Sequence, residues 1–484
     1  MIEIYDTMRG RTVPLQTREE GRVAMYGCGP TVYNYAHIGN ARTFLWYDLI
    51  RRYLTYRGFD VTYVMNYTDV DDKLIARMRE ERIPLEGLAA KYATALEEDL
   101  AALGVAPPTI LCRATDHIDD MIKAIESLVE RGHAYEADGD VWFSIETFPR
   151  YGRLSHRSID DMRAGERVEP APGKRHPLDF SLWKAAKEGE PAWSSPWGPG
   201  RPGWHIECSV MATKYLGTGF DLHAGGADLV FPHHENEIAQ AEALTGEEPF
   251  VRLWVHAGLV QMDTDKMSKS LGNVALVRDV LKHWDGEVVR YWCLTGSYRT
   301  QLTFSRSALD DARSAYDRWR TFLQGARHAL GDDAPETPVA PRRPPGHIGD
   351  GGAGEPFAER FVAAMDDDLN SAGALAAVHE LVREANRRVA GAGSVGDDRR
   401  ALLSVTQTFL ELTAVLGFEF PARGAASTLV ADLVALLLDL REEARRERSF
   451  ERADAIRARL ARVGVVVEDT SSGARWRLEH DDSG

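Results

Sequence analysis

A chain of 484 residues exceeds one ordinary hydrophobic core, so two or more domains with ample buried apolar volume are expected. Its 44% hydrophobic and 27% charged residues suit a globular protein, no apolar run reaches membrane-spanning length, and four cysteines are too few for a disulfide framework. A formal net charge of −16 excludes indiscriminate affinity for nucleic acid, which comes almost wholly from cations neutralising phosphates, but leaves room for a local basic face. The opening Met1-Ile2-Glu3-Ile4-Tyr5-Asp6 lacks the basic region and apolar core of a signal peptide, so a cytoplasmic location with reduced thiols is expected.

Arg22–Tyr26 reads as a strand. Residues 41–56 read as an amphipathic helix with Phe44, Leu45, Leu49 and Leu54 on one side, closed by Gly58, and 61–65 as the next strand. This βαβ pattern predicts a parallel sheet. After a helical stretch ending near Leu103, residues 112–202 turn irregular and rich in Gly, Trp and Pro, and read as an insertion between two halves of one sheet. The sheet pattern resumes at Asp221-Leu222-His223-Ala224 and at 253–260. Beyond Thr303 the periodicity is helical: Ser305 is an expected N-cap for a helix over 308–330. A Pro/Gly-rich linker follows over 331–356, then a helix bundle over 357–416 and two further helices over 429–448 and 450–463. Cys293, within an apolar stretch, reads as a buried small hydrophobe.

Ligands in a parallel sheet gather at the carboxyl ends of its strands. There the chain places Met25-Tyr26-Gly27-Cys28-Gly29-Pro30, then His37-Ile38-Gly39-Asn40 at a helix start, and Lys266-Met267-Ser268-Lys269-Ser270 in a loop after 253–260. A helix N-terminus offers amide donors and a positive dipole end to phosphate, and Gly39 permits close approach of a nucleotide. Cys28, Cys208, His233 and Glu237 carry thiolate, imidazole and carboxylate groups, all acceptable to zinc, and His233 and Glu237 at i, i+4 share one helix face. Spacing alone leaves the bland readings open: separated cysteines also serve as core residues, and a lone histidine also serves as a hydrogen-bonding group.

Together these residues resemble a class I aminoacyl-tRNA synthetase. The stretches at Cys28, Trp204-His205-Ile206-Glu207-Cys208 and Phe231-Pro232-His233-His234-Glu235-Asn236-Glu237 narrow the resemblance to the cysteinyl-tRNA synthetases, over nearly the full chain except 331–356. The resemblance implies an α/β fold: a Rossmann-like parallel-sheet catalytic domain over 1–300 with the insertion 112–202, a helical connector over 301–330, the linker, and an α-helical anticodon-binding region over 357–484. It implies one zinc held by Cys28, Cys208, His233 and Glu237. His37, Asn40, Lys266 and Lys269 are the implied catalytic residues, with His37, Gly39, Asn40 and Lys269 contacting ATP, which brings Mg2+. Cys28, Thr68 and Trp204 are expected to line a cysteine pocket and Asp228 to hold the substrate ammonium. Asn40 departs from the family's final His, although its amide still donates.

The implied reaction joins L-cysteine to ATP as cysteinyl-adenylate and passes it to tRNA(Cys). Cysteine and serine differ by one atom, and a site that demands a ligand sulfur discriminates far better than one that merely holds either. Four protein ligands would describe a closed zinc site, so substrate binding requires either five-coordination or a yielding Glu237. No lysine follows Lys282, and arginines such as Arg441, Arg445, Arg452 and Arg459 are interspersed with glutamates; by charge alone this is a solvated, salt-bridged helix. By resemblance the stretch Met365-Asp366-Asp367-Asp368-Leu369-Asn370 and the end of the chain bind the anticodon side of tRNA, with Trp476 a candidate base-stacking platform. A monomer is expected. Two other readings are a cysteine ligase of low-molecular-weight thiol synthesis, which typically lacks the C-terminal end, and a non-catalytic RNA-binding paralogue, against which Lys266, Lys269 and the four zinc residues argue.

Overall fold

The protein is described here in a computed structural model, at residues 1–159, 173–263, 275–335, 352–391, 396–420, 425–470 and 473–478. Lys266 and Lys269 lie outside the described residues, as does most of the expected linker.

A hairpin of β1 (Glu3–Asp6) and β2 (Arg11–Pro14) precedes β3 (Arg22–Gly27). Helix α1 (Ile38–Tyr56) then crosses to β4 (Asp60–Tyr67), burying Ala41, Phe44, Leu45, Leu49 and Leu54 as their spacing predicts. It stops at Gly58, whose φ of 92° a residue with a Cβ adopts only with strain. Helices α2 (Asp72–Glu81) and α3 (Leu85–Ala102) lead to β5 (Ile110–Arg113).

Among its described residues, the segment read as irregular contains regular elements. Its first residues belong to β5, where Cys112 pairs with Asn66 of β4. Helix α4 (Ile118–Glu130) follows, then an antiparallel sheet of β6 (Ala134–Ala137), β7 (Asp140–Phe143), β8 (Phe180–Ala185) and β9 (Gly200–Pro202). Strands of three to six residues are too short to show alternation. The turn Asp138-Gly139, with φ of 55° and 83°, is the signal that was present for the β6–β7 hairpin.

The chain returns through α5 (Trp204–Leu216), β10 (Phe220–Gly226), α6 (Glu235–Thr245) and β11 (Val251–Ala257). The large sheet has the order β11-β10-β3-β4-β5, with every pairing parallel. One core runs from its β3–β4 centre under α4 and α5 to the small sheet, through Tyr26, Val64, Ile125, Trp183, Met211 and Phe250. Short β12 (Val260–Met262), α7 (Val277–Val280), α8 (Gly286–Cys293) and β13 (Leu302–Phe304) follow, with β12 and β13 paired in parallel. Cys293 is fully buried, as expected.

Helix α9 (Arg306–Leu330) starts where the Ser305 hydroxyl accepts the Ala308 amide at 3.1 Å. Helices α10 (Glu355–Asp366), α11 (Ser371–Gly391) and α12 (Gly396–Val415) complete a first compact unit, Met1–Glu419. A second unit, Phe420–Gly484, contains α13 (Ala425–Arg446), α14 (Phe450–Arg462) and a hairpin of β14 (Val465–Thr470) and β15 (Gly473–Leu478) around Val434, Leu438, Leu460, Val465 and Val467. The region expected over 357–484 therefore falls into two parts. Trp476 packs against the small core of the second unit, and Arg441 is buried, in contrast to the fully solvated face that the charge pattern suggests. No helix among the described residues is long and apolar enough to cross a membrane.

Candidate active site

Strand β3 ends at Gly27, and Cys28 continues its line with a bond from its amide to the Ala224 carbonyl of β10 (3.1 Å). The next turn must pass very close to β4: a Cβ on Gly29 would lie 1.5 Å from the Asn66 carbonyl oxygen. Its amide instead donates to Asn66 Oδ1 at 3.0 Å. The Tyr47 hydroxyl of α1 ties the strand ends together, donating to the carbonyls of Cys28 and Ala224. Cys28 is thus fixed on three sides by backbone geometry.

Around its sulfur the structure gathers the groups singled out in the sequence. Cys208 Sγ, from the second turn of α5, lies 3.6 Å away. His233 Nε2 is at 3.5 Å and Glu237 Oε1 at 3.4 Å, and these two are 2.9 Å from each other. Phe231 has extended angles, so α6 proper begins at Glu235 and His233 sits in the wide turn before it; the i, i+4 relation to Glu237 survives. All four side chains are buried.

The cluster also contains residues that the sequence reading passed over. His234 Nε2 lies 3.3 Å from Cys28 Sγ, and ligand atoms of Cys28, His233, His234 and Glu237 all fall within 4.8 Å of one another. His234 Nδ1 meets His256 Nε2 at 2.7 Å, and His256 Nδ1 meets the Thr7 hydroxyl at 2.8 Å. His223 Nε2 contacts Glu237 Oε2 at 2.9 Å, and His205 Nδ1 contacts His233 Nδ1 at 2.8 Å. Adjacency of His234 to His233 was the available signal; His223 and His256 lie on strands whose neighbours gave none.

The electrostatics are those of charge concentrated in a dry site. Burial alone would raise Glu237, but His223 and His233 hold it well below the usual carboxylate range. Burial opposes protonation of His233, yet Glu237 and Cys208 raise it to about 10. A hydrogen bond from Cys28 lowers Cys208, while burial raises Cys28.

At the start of α1 the His37 ring folds back over the helix end, where Nδ1 accepts the amides of Gly39 (3.1 Å) and Asn40 (3.3 Å). Gly39 has a second reason to be glycine: a Cβ there would lie 2.9 Å from the His37 ring. With Nδ1 accepting, the ring proton resides on Nε2, and desolvation lowers the ring's pKa against the opposing pull of Asp228. Asn40 Oδ1 accepts the His37 amide at 3.2 Å, which leaves its NH2 as the group with donors to offer.

Trp204 stacks on His233, with centroids 4.3 Å apart at 20°, and remains partly exposed. Thr68 is buried, its hydroxyl 2.7 Å from Glu207 Oε2. Asp228 is exposed on a single 3-10 turn after β10 and lies close to Gly226. Cys28, Trp204, Cys208, His233 and Glu237 are therefore brought together by their contacts, Thr68 is linked to Cys208 through Asn66, and the charge of Asp228 raises the His37 ring's pKa against the larger effect of desolvation.

Residues 14–314 match the model of the class I (C) tRNA synthetase catalytic domain, 360–421 the DALR domain, and 431–477 the anticodon-binding domain of cysteinyl-tRNA ligase. The chain belongs to the cysteine–tRNA ligase family. It is 49% identical over 479 residues to the cysteine–tRNA ligase of Moorella thermoacetica, covering 98% of this chain and 99% of that one. With the Desulfitobacterium hafniense ligase it shares 47% over 483 residues, covering 99% and 100%. Among solved structures, Mycobacterium tuberculosis methionyl-tRNA synthetase in complex with methionyl-adenylate aligns with a TM-score of 0.60 at 16% identity over 82% of this chain and 90% of that one. An Agrobacterium radiobacter LeuRS–tRNA complex aligns at 0.57 and 11%, over 83% and 84%. These likenesses carry the fold, a class I parallel-sheet catalytic domain.

Proposed function

We propose that the chain activates L-cysteine with ATP and transfers it to tRNA(Cys), and that the cluster around Cys28 selects the amino acid by its sulfur. The observation that carries this reading is the placement of Cys208, His233 and Glu237 within 3.4–3.6 Å of the buried Cys28 sulfur at the carboxyl end of the sheet.

The donor set fits a zinc ion. Bond lengths of about 2.0–2.3 Å in a tetrahedron put ligand atoms about 3.3–3.8 Å apart. The spacings of 3.6, 3.5 and 3.4 Å from Cys28 Sγ match those edges, and the 2.9 Å from His233 to Glu237 is a hydrogen bond that a shared ion would open slightly. Cys28, Cys208, His233 and Glu237 would hold the ion, and His234, whose Nε2 lies 3.3 Å from Cys28 Sγ, is a further donor beside them. Bound there, zinc would supply a soft Lewis acid that prefers a thiolate to a hydroxyl. His223 and His205 orient Glu237 and His233 through their hydrogen bonds, and Trp204 covers the His233 ring.

The cysteine carboxylate attacks the α-phosphate of ATP, with Mg2+ accompanying the nucleotide, and pyrophosphate leaves. His37, neutral with its proton on Nε2, donates to a phosphate oxygen, and Asn40 Nδ2 donates beside it at the positive end of α1. Lys266 and Lys269 add the cations that the leaving pyrophosphate needs. Asp228 receives the substrate ammonium, and Thr68 and Trp204 line the cysteine pocket. A monomer working in the cytoplasm fits this reading, and the match of 431–477 to an anticodon-binding domain favours tRNA over an amino sugar as acceptor.

Cysteine-dependent pyrophosphate–ATP exchange followed by charging of tRNA(Cys) tests the proposal. Exchange without charging would transfer the assignment to the low-molecular-weight thiol ligase, and absence of exchange would remove the catalytic reading.

A further inference from the structure

Arg42 lies two residues beyond Asn40 on α1 and is fully buried. Its partners among the described residues are backbone carbonyls drawn from two separate segments. Nη1 donates to Gly258 (2.8 Å) and Leu259 (3.0 Å), in the turn between β11 and β12. Nη2 donates to Ser297 (3.0 Å), Tyr298 (3.4 Å) and Thr300 (2.6 Å), in the loop before β13. A buried guanidinium is costly to desolvate, and only a planar fork of donors reaches five oxygens at once.

The segments it grips are already in close contact. The Gly258 amide donates to the Tyr298 carbonyl at 2.6 Å, Leu302 donates to Leu259 at 3.1 Å, and a Cβ on Gly258 would lie 2.4 Å from the Thr300 oxygen. From the other side the same loop is held by Asp368: its Oδ1 accepts from the Tyr298 hydroxyl at 2.8 Å and its Oδ2 from Arg299 Nε at 2.7 Å. Asp368 and Leu369 both adopt left-handed angles, with φ of 52° and 54°, a strained pair kept in place by these bonds. The 365–370 stretch thus docks onto the catalytic part of the first unit. Its bonds join α10 and α11 to the loop that Arg42 clamps.

We infer that Arg42 is a positioning residue for amino-acid activation: it holds the His37–Asn40 turn of α1 at a fixed distance from β12 by clamping the 258–259 turn and the 297–300 loop to the helix. The inference rests on the activity proposed above. Among the described residues, the hydrogen bonds of Arg42 go to backbone carbonyls of 258–259 and 297–300 and none goes to the cysteine-selecting cluster. Loss of Arg42 therefore acts on the alignment of groups around the nucleotide, where misplacement by a fraction of an ångström lowers the rate of the chemical step and leaves cysteine affinity intact.

The test is burst kinetics of adenylate formation in the full chain, which reads active sites from the amplitude and chemistry from the rate constant, with Arg42→Lys and Asp368→Asn. A lysine ammonium cannot span both segments. For Arg42→Lys the expected result is a rate constant lowered about tenfold or more, with amplitude, zinc content and KM for cysteine kept near the parent values, and faster amide exchange at Gly258, Leu302 and Asp263. Asp368→Asn, acting on the far side of the same loop, should shift the rate constant in the same direction by less. An unchanged rate constant in Arg42→Lys, or a loss confined to the amplitude, would overturn the inference, since a purely structural arginine alters how many molecules are active and not how fast each one works. Should Arg42→Lys fail to fold, Asp368→Asn decides: a lowered rate constant supports the clamp, and an unchanged one sinks it. The parent chain separates the two readings, because absence of cysteine-dependent bursts there would defeat the proposed activity itself.

Discussion

His37 and Asn40 cap each other: His37 Nδ1 accepts the Asn40 amide at 3.3 Å, and Asn40 Oδ1 accepts the His37 amide at 3.2 Å. The side chain that stands where the family tetrapeptide ends in His is thus bound by its oxygen, and its NH2 is what it can present to a phosphate. Asn40→Asp keeps the accepting oxygen but replaces the donors with negative charge. It should leave the fold intact and lower the exchange rate at least about tenfold, the scale of one lost charge-stabilising donor plus repulsion. Asn40→Ala should lower the melting temperature, in line with about 0.5–2 kcal/mol for a lost helix cap. An Asn40→Asp variant with the parent's exchange rate would show that Nδ2 takes no part.

Five donors compete for the proposed zinc, and two substitutions separate them. Cys208→Ser should deplete bound zinc in the purified chain, because a neutral hydroxyl replaces a thiolate poorly. His234→Gln should retain zinc, since the proposed set of Cys28, Cys208, His233 and Glu237 already supplies four ligands without it. Metal analysis of both variants decides the matter: full occupancy in Cys208→Ser with depletion in His234→Gln would exchange their roles. Removal of the metal by a chelator should abolish selection of cysteine over serine in the exchange assay.

The sheet was readable from sequence because its central strands are short apolar runs bounded by glycine and separated by a helix-period segment. Arg22–Tyr26 and the helix after it appear where the spacing put them, and Ser305 caps the helix that it was expected to cap. The small antiparallel sheet was not legible, since its strands are too short for alternation and its Trp183 and Phe143 are buried by neighbours distant in sequence. Cys28, Cys208, His233 and Glu237 were legible as a set through resemblance alone; nothing in their spacing says that α5 brings Cys208 to 3.6 Å from Cys28. His223 and His256 were illegible for a related reason. Their relevance comes from pointing off adjacent strands toward Glu237 and His234.

Arg290 and Asp48 form a fully buried ion pair at 2.9 Å. Arg290 also donates to the carbonyls of Leu103, Gly104 and Leu416, and Asp48 also receives Arg51 and Arg52. Burial would raise the Asp48 pKa, but Arg290 and Arg52 win and hold it below the ordinary value. A depressed carboxylate contributes stability above the unfolded pKa of about 3.9, and that contribution is lost as pH falls through the folded value. Asp48→Asn, which strands a buried guanidinium, should cost about 3–5 kcal/mol near neutral pH, and the gap from the parent in urea unfolding should narrow on acidification below about pH 4. A gap that is constant with pH would mean that the pair's charge contributes nothing.

The same arginine bears on where the chain can be cut. Arg290 Nη1 donates to Leu416 at 3.1 Å, and a Cβ on Gly417 would lie 2.2 Å from that guanidinium. Tyr53 donates to Asp366 at 2.6 Å, and Asp368 holds Tyr298 and Arg299. A chain ending before Phe357 would lose all of these partners, exposing the α1 and α8 surfaces that α10–α12 cover, and should unfold or aggregate. A chain ending at Glu419 keeps them and loses the second unit alone. It should retain cysteine-dependent exchange within about twofold of the full chain, because the groups proposed for activation all lie in the first unit. Its kcat/KM for charging tRNA(Cys) should fall by about two orders of magnitude or more, as expected when a recruiting surface is removed and the chemistry is kept. Charging at the full chain's efficiency would deny the second unit and Trp476 any part in RNA binding. Loss of exchange from a folded 1–419 chain would instead show that activation depends on residues beyond Glu419.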